Sequence, residues 1–237
     1  MFIAKLYRKW HGEVLVDMKK WMYSTALLAG SVLLLWAGWF IWHRLQERQE
    51  TVIVLDPGHG GAYPGFAQGG LLEKDIVFEV AKQTREILEQ KGYRVYMTRE
   101  GNSACSEEGY VKDLGCRPAV ARKQDADLFV SIHANAFPGD AGVRGMEAFY
   151  FTPFRDKEAA EAIGAAVSEA SGIPLRFTKF GNFKVLRDSI VPSTLIEIGY
   201  ITNPQDAKLM ADREGQRKIA EGIALGIQAF RPVGQPE

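Results

Sequence analysis

Apolar residues are distributed along this chain in two regimes. From Trp21 to Trp42 (WMYSTALLAGSVLLLWAGWFIW) no charged side chain interrupts the run. At ~1.5 Å per residue a helix of that length covers ~33 Å, enough to cross a hydrocarbon core of ~30 Å. Trp21, Trp39 and Trp42 stand at its ends, where amphipathic rings favour the membrane interface. From Thr51 onward, short β-prone runs alternate with helical periodicity. Thr51–Leu55 reads as a strand that stops on the turn cluster Asp56-Pro57-Gly58. Glu73–Lys91 carries Ile76, Val77, Val80, Ile87 and Leu88 at helical spacing and is closed by Gly92. Tyr93–Thr98 alternates as a strand, and a helix is predicted from about Pro118 through Ala126, because proline suits a first turn. Leu128–Ile132 is a near-continuous apolar run, the mark of a strand buried on both faces. Gly145–Phe151 and Ser193–Ile198 read as further strands, Lys157–Ala170 as a helix, and two last helices start near Pro204 and Glu214. The alternation predicts an α/β domain, a mostly parallel twisted sheet with helices on both faces, preceded by one transmembrane helix.

The flanks of the long apolar run set its expected topology. Lys5, Arg8, Lys9, Lys19 and Lys20 precede it, whereas only Arg44 and Arg48 closely follow. The positive-inside rule then places the N-terminus in the cytoplasm and everything after the helix outside. A cleaved signal peptide fits less well, since it wants a shorter apolar core and small residues before the cut, and this run ends in Trp39-Phe40-Ile41-Trp42. The expected organisation is a cytoplasmic segment 1–20, a transmembrane helix 21–42, a polar stalk 43–50, one catalytic domain 51–232 and a tail 233–237.

Charge narrows the function little. The 237 residues carry 29 basic and 29 acidic side chains, so no net field argues for nucleic acid as a partner. Histidine narrows it more. Of four histidines only His59 and His133 lie beyond the polar stalk, and each follows a predicted strand, where α/β folds bind ligands. Between His59 and Glu73 runs a glycine-rich segment that cannot be a helix or a central strand, so it must loop back and set Glu73 at a helix start. A lone histidine beside an apolar run is ordinarily a hydrogen-bonded core or surface residue. Two in equivalent positions, with a carboxylate, suit a divalent metal, zinc above all, and three ligands with a fourth position open are the pattern of catalytic rather than structural zinc. A hydrolase of that kind needs a base. Glu197, inside the apolar run Ser193–Tyr200, is the candidate, because a carboxylate buried without a partner is costly. Its partner is either an arginine (Arg187, Arg99 or Arg117) or the metal site. Glu147 is a second carboxylate that could be a site residue or a solvated strand position.

Four segments then carry a resemblance. Asp56-Pro57-Gly58-His59-Gly60-Gly61, Gly70-Leu71-Leu72-Glu73-Lys74-Asp75, Ser131-Ile132-His133-Ala134-Asn135-Ala136 and Leu195-Ile196-Glu197-Ile198-Gly199-Tyr200-Ile201-Thr202-Asn203-Pro204 resemble the successive motifs of the zinc-dependent N-acetylmuramoyl-L-alanine amidases of the AmiC-like amidase 3 family. The resemblance spans residues 51–231, in order and at compatible spacing. It implies that His59, Glu73 and His133 hold Zn2+, that Glu197 is catalytic, and that the substrate is peptidoglycan, cut between the lactyl group of muramic acid and L-alanine of the stem peptide. Asn135 and Arg187 are candidates for orienting substrate. The implied location is the bacterial cell membrane, with the catalytic domain extracytoplasmic.

The departures from the family pattern are also informative. The stretch between His133 and Glu197 is too short for the long inserted helix by which some division-associated relatives cover their zinc, so self-inhibition is not expected. No repeated wall-binding domain is expected after Pro232, which leaves targeting to the membrane helix or to an activating partner protein. One N-terminal anchor on a compact domain is similar to the germination-specific amidases of endospore formers, and anchored vegetative enzymes share that layout. Two other classes stay open: a non-catalytic wall-binding or scaffolding protein, and a zinc peptidase of the stem peptide. Cys105 and Cys116 could close a loop by a disulfide outside the cell or stand as free thiols, whereas zinc binding by them lacks a C-x-x-C spacing or a nearby histidine.

Overall fold

The computed structural model describes residues 21–42 and 50–233. The expected cytoplasmic segment 1–20, nearly all of the stalk and the tail past residue 233 lie outside the described residues. The chain divides into two units, residues 1–49 and 50–237. In the first, Trp21–Trp42 forms one 22-residue helix, α1, long and apolar enough to cross a membrane. Two of its hydroxyls turn back onto the helix: Thr25 donates to the Met22 carbonyl at 3.0 Å and Ser31 to that of Leu27 at 2.8 Å. Neither therefore carries an unsatisfied donor into an apolar surround.

The second unit follows the chain order β1 (Val52–Pro57), β2 (Ala67–Gln68), β3 (Leu71–Leu72), α2 (Glu73–Gln90), β4 (Arg94–Met97), α3 (Tyr110–Lys123), β5 (Leu128–Asn135), β6 (Met146–Tyr150), α4 (Pro153–Ser171), β7 (Leu175–Phe180), α5 (Lys184–Arg187), β8 (Ser193–Tyr200), α6 (Pro204–Ala211) and α7 (Arg213–Phe230). Six strands make one sheet in the order β4-β1-β5-β8-β6-β7, and β2 and β3 form a small separate hairpin. All pairings in the large sheet are parallel except β6 with β8. The mostly parallel α/β architecture expected from the pattern is the one observed.

Strand side chains alternate between faces with period two, and here the alternation separates two cores. Ile53, Leu55, Leu128, Val130, Ile132, Ile196, Ile198 and Ala148 pack with α2, α4 and α7 in the larger cluster. Val54, Phe129, Leu195 and Phe149 point the other way, into a smaller cluster with Ala121 of α3 and Val185 and Leu186 of α5. On the first face α7 packs against both α4 and α2. Gly226 permits this approach: a Cβ there would lie 2.4 Å from the Ile163 Cα on α4, closer than packed backbones tolerate. Helix ends follow their local chemistry. Asn203 caps α6 by accepting from the N–H groups of Gln205 and Asp206, with Pro204 at the first turn, and Asp212 caps α7 through Gly215 N–H.

Three details differ from the sequence pattern. Helix α3 begins at Tyr110, not near Pro118, which sits inside it. The earlier start is anchored by side chains: Asp113 accepts from the N–H groups of Cys105 and Ser106 at 2.8 and 3.3 Å and pairs with Arg117 one turn on. Cys105 and Cys116 form a disulfide across this fold-back, Cα atoms 5.9 Å apart, which resolves the alternative the sequence left open. Strand β5 continues through Asn135, so His133 lies within the strand instead of after it. The short strand β7 and helix α5 were not foreseen.

Candidate active site

On the second sheet face, apolar positions give way to polar ones toward the carboxyl ends of the strands. Val54 is followed on that face by Asp56, Phe129 by Ser131 and His133, and Leu195 by Glu197. Strand register then aligns residues from different parts of the chain. His133 of β5 is the direct partner of Glu197 on β8, and Glu197 is the direct partner of Glu147 on β6. The three side chains form one row across adjacent strands.

His59 and Glu73 reach the row from β1 and α2. After β1 the chain turns so sharply that His59 adopts φ 62°, a left-handed conformation uncommon for residues other than glycine. The returning loop passes close over the site at Gly65 (φ +71°), where a Cβ would lie 2.4 Å from Glu73 Oε2 and 2.8 Å from the His59 ring. Glu73 opens α2 with its carboxylate directed to the histidines. Its Oε1 lies 3.0 Å from His59 Nε2 and 3.0 Å from His133 Nδ1. Backbone amides fix the group: Ala134 N–H donates to Oε1 at 3.1 Å and Phe66 N–H to Oε2 at 3.0 Å. The two imidazoles meet edge to face, centroids 4.9 Å apart. Burial alone would raise the Glu73 pKa, but hydrogen bonds and charge from His133 and His59 outweigh it and hold the carboxyl well below its ordinary range.

Ligand atoms of His59, Glu73 and His133 all lie within 4.8 Å of one another. Two ring nitrogens and a backbone N–H converge on one carboxylate oxygen, and both histidine side chains are partly exposed. Two imidazoles and one carboxylate, with no thiolate, are a donor set that fits a divalent metal with a position left for water or substrate. The three residues singled out in the sequence are thus brought together as a candidate metal site.

Among the described residues no arginine pairs with Glu197. As a residue it is only half-buried, yet its Oε2 is sealed from solvent and finds no hydrogen-bond donor among the described residues. Burial, followed by the negative charges of Glu73 and Glu147, pushes its carboxyl well above the ordinary range. Glu147, also buried, is fully engaged: Tyr200 Oη donates to Oε1 at 2.6 Å, Asn135 Nδ2 to Oε2 at 3.3 Å, and Arg176 Nε lies 3.5 Å from Oε1. Burial and the bond to Glu147 push the Tyr200 hydroxyl up to about 12. Asn135 therefore sits in the site's polar network. Arg187 does not join it; exposed on α5, it donates to Asn182 and Asp188.

The other two arginines considered for Glu197 support the loop beneath His59 instead. Arg117 donates to Asp56 Oδ1 at 2.8 Å, to the Pro57 carbonyl at 3.0 Å and to the His59 carbonyl at 2.7 Å, while Asp113 holds its other edge. Asp56 also accepts from Thr98 and Ser131. Arg99 donates to the carbonyls of Pro57, Gly58 and Lys74. Sequence reasoning gave neither arginine this role. A usable signal was present, since polar residues at the ends of apolar strands (Asp56, Thr98, Ser131) need buried partners.

The germination-specific N-acetylmuramoyl-L-alanine amidase of Bacillus subtilis is 33% identical over 195 residues, 78% of this chain and 82% of that protein. The catalytic domain of the amidase CwlV from Bacillus (Paenibacillus) polymyxa var. colistinus superposes with a TM-score of 0.71 at 31% identity, covering 77% of this chain and 99% of that one. The CwlD amidase of Clostridioides difficile, solved in complex with the GerS lipoprotein, superposes at 0.72 with 32% identity, covering 76% and 98%. With residues 53–229 matching the Amidase_3 family, described as N-acetylmuramoyl-L-alanine amidase, this chain belongs to that family of cell-wall hydrolases.

Proposed function

We propose that this amidase works through a zinc ion held by His59, Glu73 and His133, with Glu197 as general base, on the amide between the lactyl group of muramic acid and L-alanine of the stem peptide. The observation that carries the reading is the convergence of two imidazole nitrogens and a carboxylate oxygen beside a carboxylate whose Oε2 has no donor among the described residues. Bound there, zinc supplies Lewis-acid polarisation of a carbonyl and lowers the pKa of water to ~7. The protein's own groups do the rest. Glu197, one strand from His133, accepts the proton of the attacking water and returns it to the departing alanine nitrogen. Glu147 is occupied by Tyr200, Asn135 and Arg176, which leaves the proton transfer to Glu197. Asn135 and the exposed Arg187 orient substrate in this reading.

We further place α1 in the cell membrane as a single-pass anchor, with residues 1–20 cytoplasmic, 43–50 a stalk and the catalytic domain, 51–232, extracytoplasmic. The basic residues before the helix and the disulfide in the catalytic domain support that orientation. Similarity to a germination-specific amidase and to one solved with a lipoprotein supports a role in spore germination beside a protein partner.

The test is mass spectrometry of products released from purified peptidoglycan by the zinc-loaded full chain in detergent, run beside Glu197→Gln. Free stem peptides with an L-alanine amino terminus, absent with the variant, are the expected result. Shortened stem peptides still on muramic acid would mean a peptidase and sink the assignment of the bond. Equal turnover by the variant would remove Glu197 from its role.

A further inference from the structure

Arg99 follows the edge strand β4 and is buried, 3% exposed, yet no carboxylate lies within ion-pair distance of it among the described residues. All of its hydrogen bonds go to main-chain carbonyls. Nε donates to Pro57 at 2.9 Å, Nη1 donates to Gly101, and Nη2 donates both to Gly58 at 3.1 Å and to Lys74 at 2.7 Å. Gly58 adjoins His59 and Lys74 adjoins Glu73, so a single nitrogen ties the segment bearing one donor to the segment bearing another. The guanidinium also lies over the Phe78 ring, 5.3 Å from Cζ to centroid.

A buried cation without a carboxylate partner is expensive to retain for stability alone. A planar fork that spans several carbonyls does what a lysine ammonium cannot. We propose that Arg99 is a positioning residue for the metal site: it sets the spacing between His59 and Glu73 by clamping the carbonyls beside each. This rests on the reading of His59, Glu73 and His133 as metal ligands. It makes Arg99 part of the metal affinity of the site although it contributes no ligand atom.

The experiment measures zinc affinity of the full chain in detergent by competition with a chromophoric chelator, together with the visible spectrum of the cobalt-substituted protein. Arg99→Lys keeps the charge but loses the fork, and should weaken zinc by about 10–100-fold, as loss of groups that orient ligands does, and alter the cobalt spectrum. Arg99→Ala should recover part of that affinity with added guanidinium ion, and none with methylammonium. A purely structural arginine would lower thermal stability and leave these readouts unmoved. Affinity within twofold of wild type and an unchanged cobalt spectrum in Arg99→Lys overturn the proposal. A wild type with no zinc affinity overturns the metal reading itself, and the inference with it. Should both variants fail to fold, the wild type decides: coupling is reciprocal, so zinc must slow hydrogen exchange at Arg99 Nε–H, and equal rates with and without zinc overturn the clamp.

Discussion

The two faces of the sheet are made by the same strands and do opposite things. On one, Ile53, Leu55, Ile132, Ile196 and Ile198 are covered by α2, α4 and α7 in a continuous apolar cluster. On the other, α3 and the short α5 cover only the apolar half, and the uncovered half carries His133, Glu197 and Glu147 in one row. The first face supplies the hydrophobic burial. The second concentrates charge where burial is incomplete, and it stays ordered through buried arginines that hydrogen-bond the loop carbonyls. The division explains how a strand can hold the Glu197 carboxylate: its neighbours one position either way, Ile196 and Ile198, anchor it in the opposite core.

Disturbing each face separately should separate turnover from stability. Replacing Glu197 by glutamine keeps the shape of the row and removes the base, so kcat should fall by about 10²–10⁴-fold with little change in thermal midpoint, measured on peptidoglycan digestion and by calorimetry. Gly226→Val acts on the other face. Its side chain would meet the α4 backbone at Ile163, so unfolding free energy should fall by about 1–3 kcal/mol in denaturant titration, while kcat per folded molecule holds.

Acid should weaken the site face through Asp56. Burial alone would raise its pKa, but Arg117, Ser131 and Thr98 hold it below the ordinary 3.8. A lowered carboxylate contributes its stability in full above the unfolded value and loses it as pH falls through the folded one. Denaturant midpoints of the metal-free Glu197→Gln protein, from which the raised Glu197 carboxyl is removed, should therefore hold above about pH 5 and drop below about pH 4. A midpoint unchanged at pH 3 would show that the Asp56–Arg117 pair contributes nothing. The smallest effect is expected at Arg187. Being exposed and bound to Asp188 and Asn182, its replacement by alanine should alter stability by less than about 0.5 kcal/mol and raise KM only modestly. A large fall in kcat would move Arg187 into the catalytic machinery.

Much of this is legible in the sequence. The apolar period announced α2 and the central strands, because a buried face imposes its spacing locally, and an uninterrupted apolar run announced α1. The glycine-rich return from His59 to Glu73 was legible for the same reason, since glycine permits backbone conformations that side chains forbid. Less local features were not. Pro118 suggested a helix start, but Asp113 and the Cys105–Cys116 bond begin α3 earlier, through contacts absent from any short window. Arg99 and Arg117 look like any surface arginines in one dimension.

What the chain alone determined, then, is the order of its main elements, the long apolar helix and the chemical types gathered for the site: two histidines and a glutamate on or beside strands, and a glutamate at a helix start. Only the tertiary structure decided that His133, Glu197 and Glu147 share one row, that no arginine among the described residues reaches Glu197, and that Arg99 spans the segments of His59 and Glu73. The reason is physical. Periodicity and turn chemistry are properties of neighbours in sequence, whereas strand register and the partners of buried charges are settled by the packing of the whole sheet.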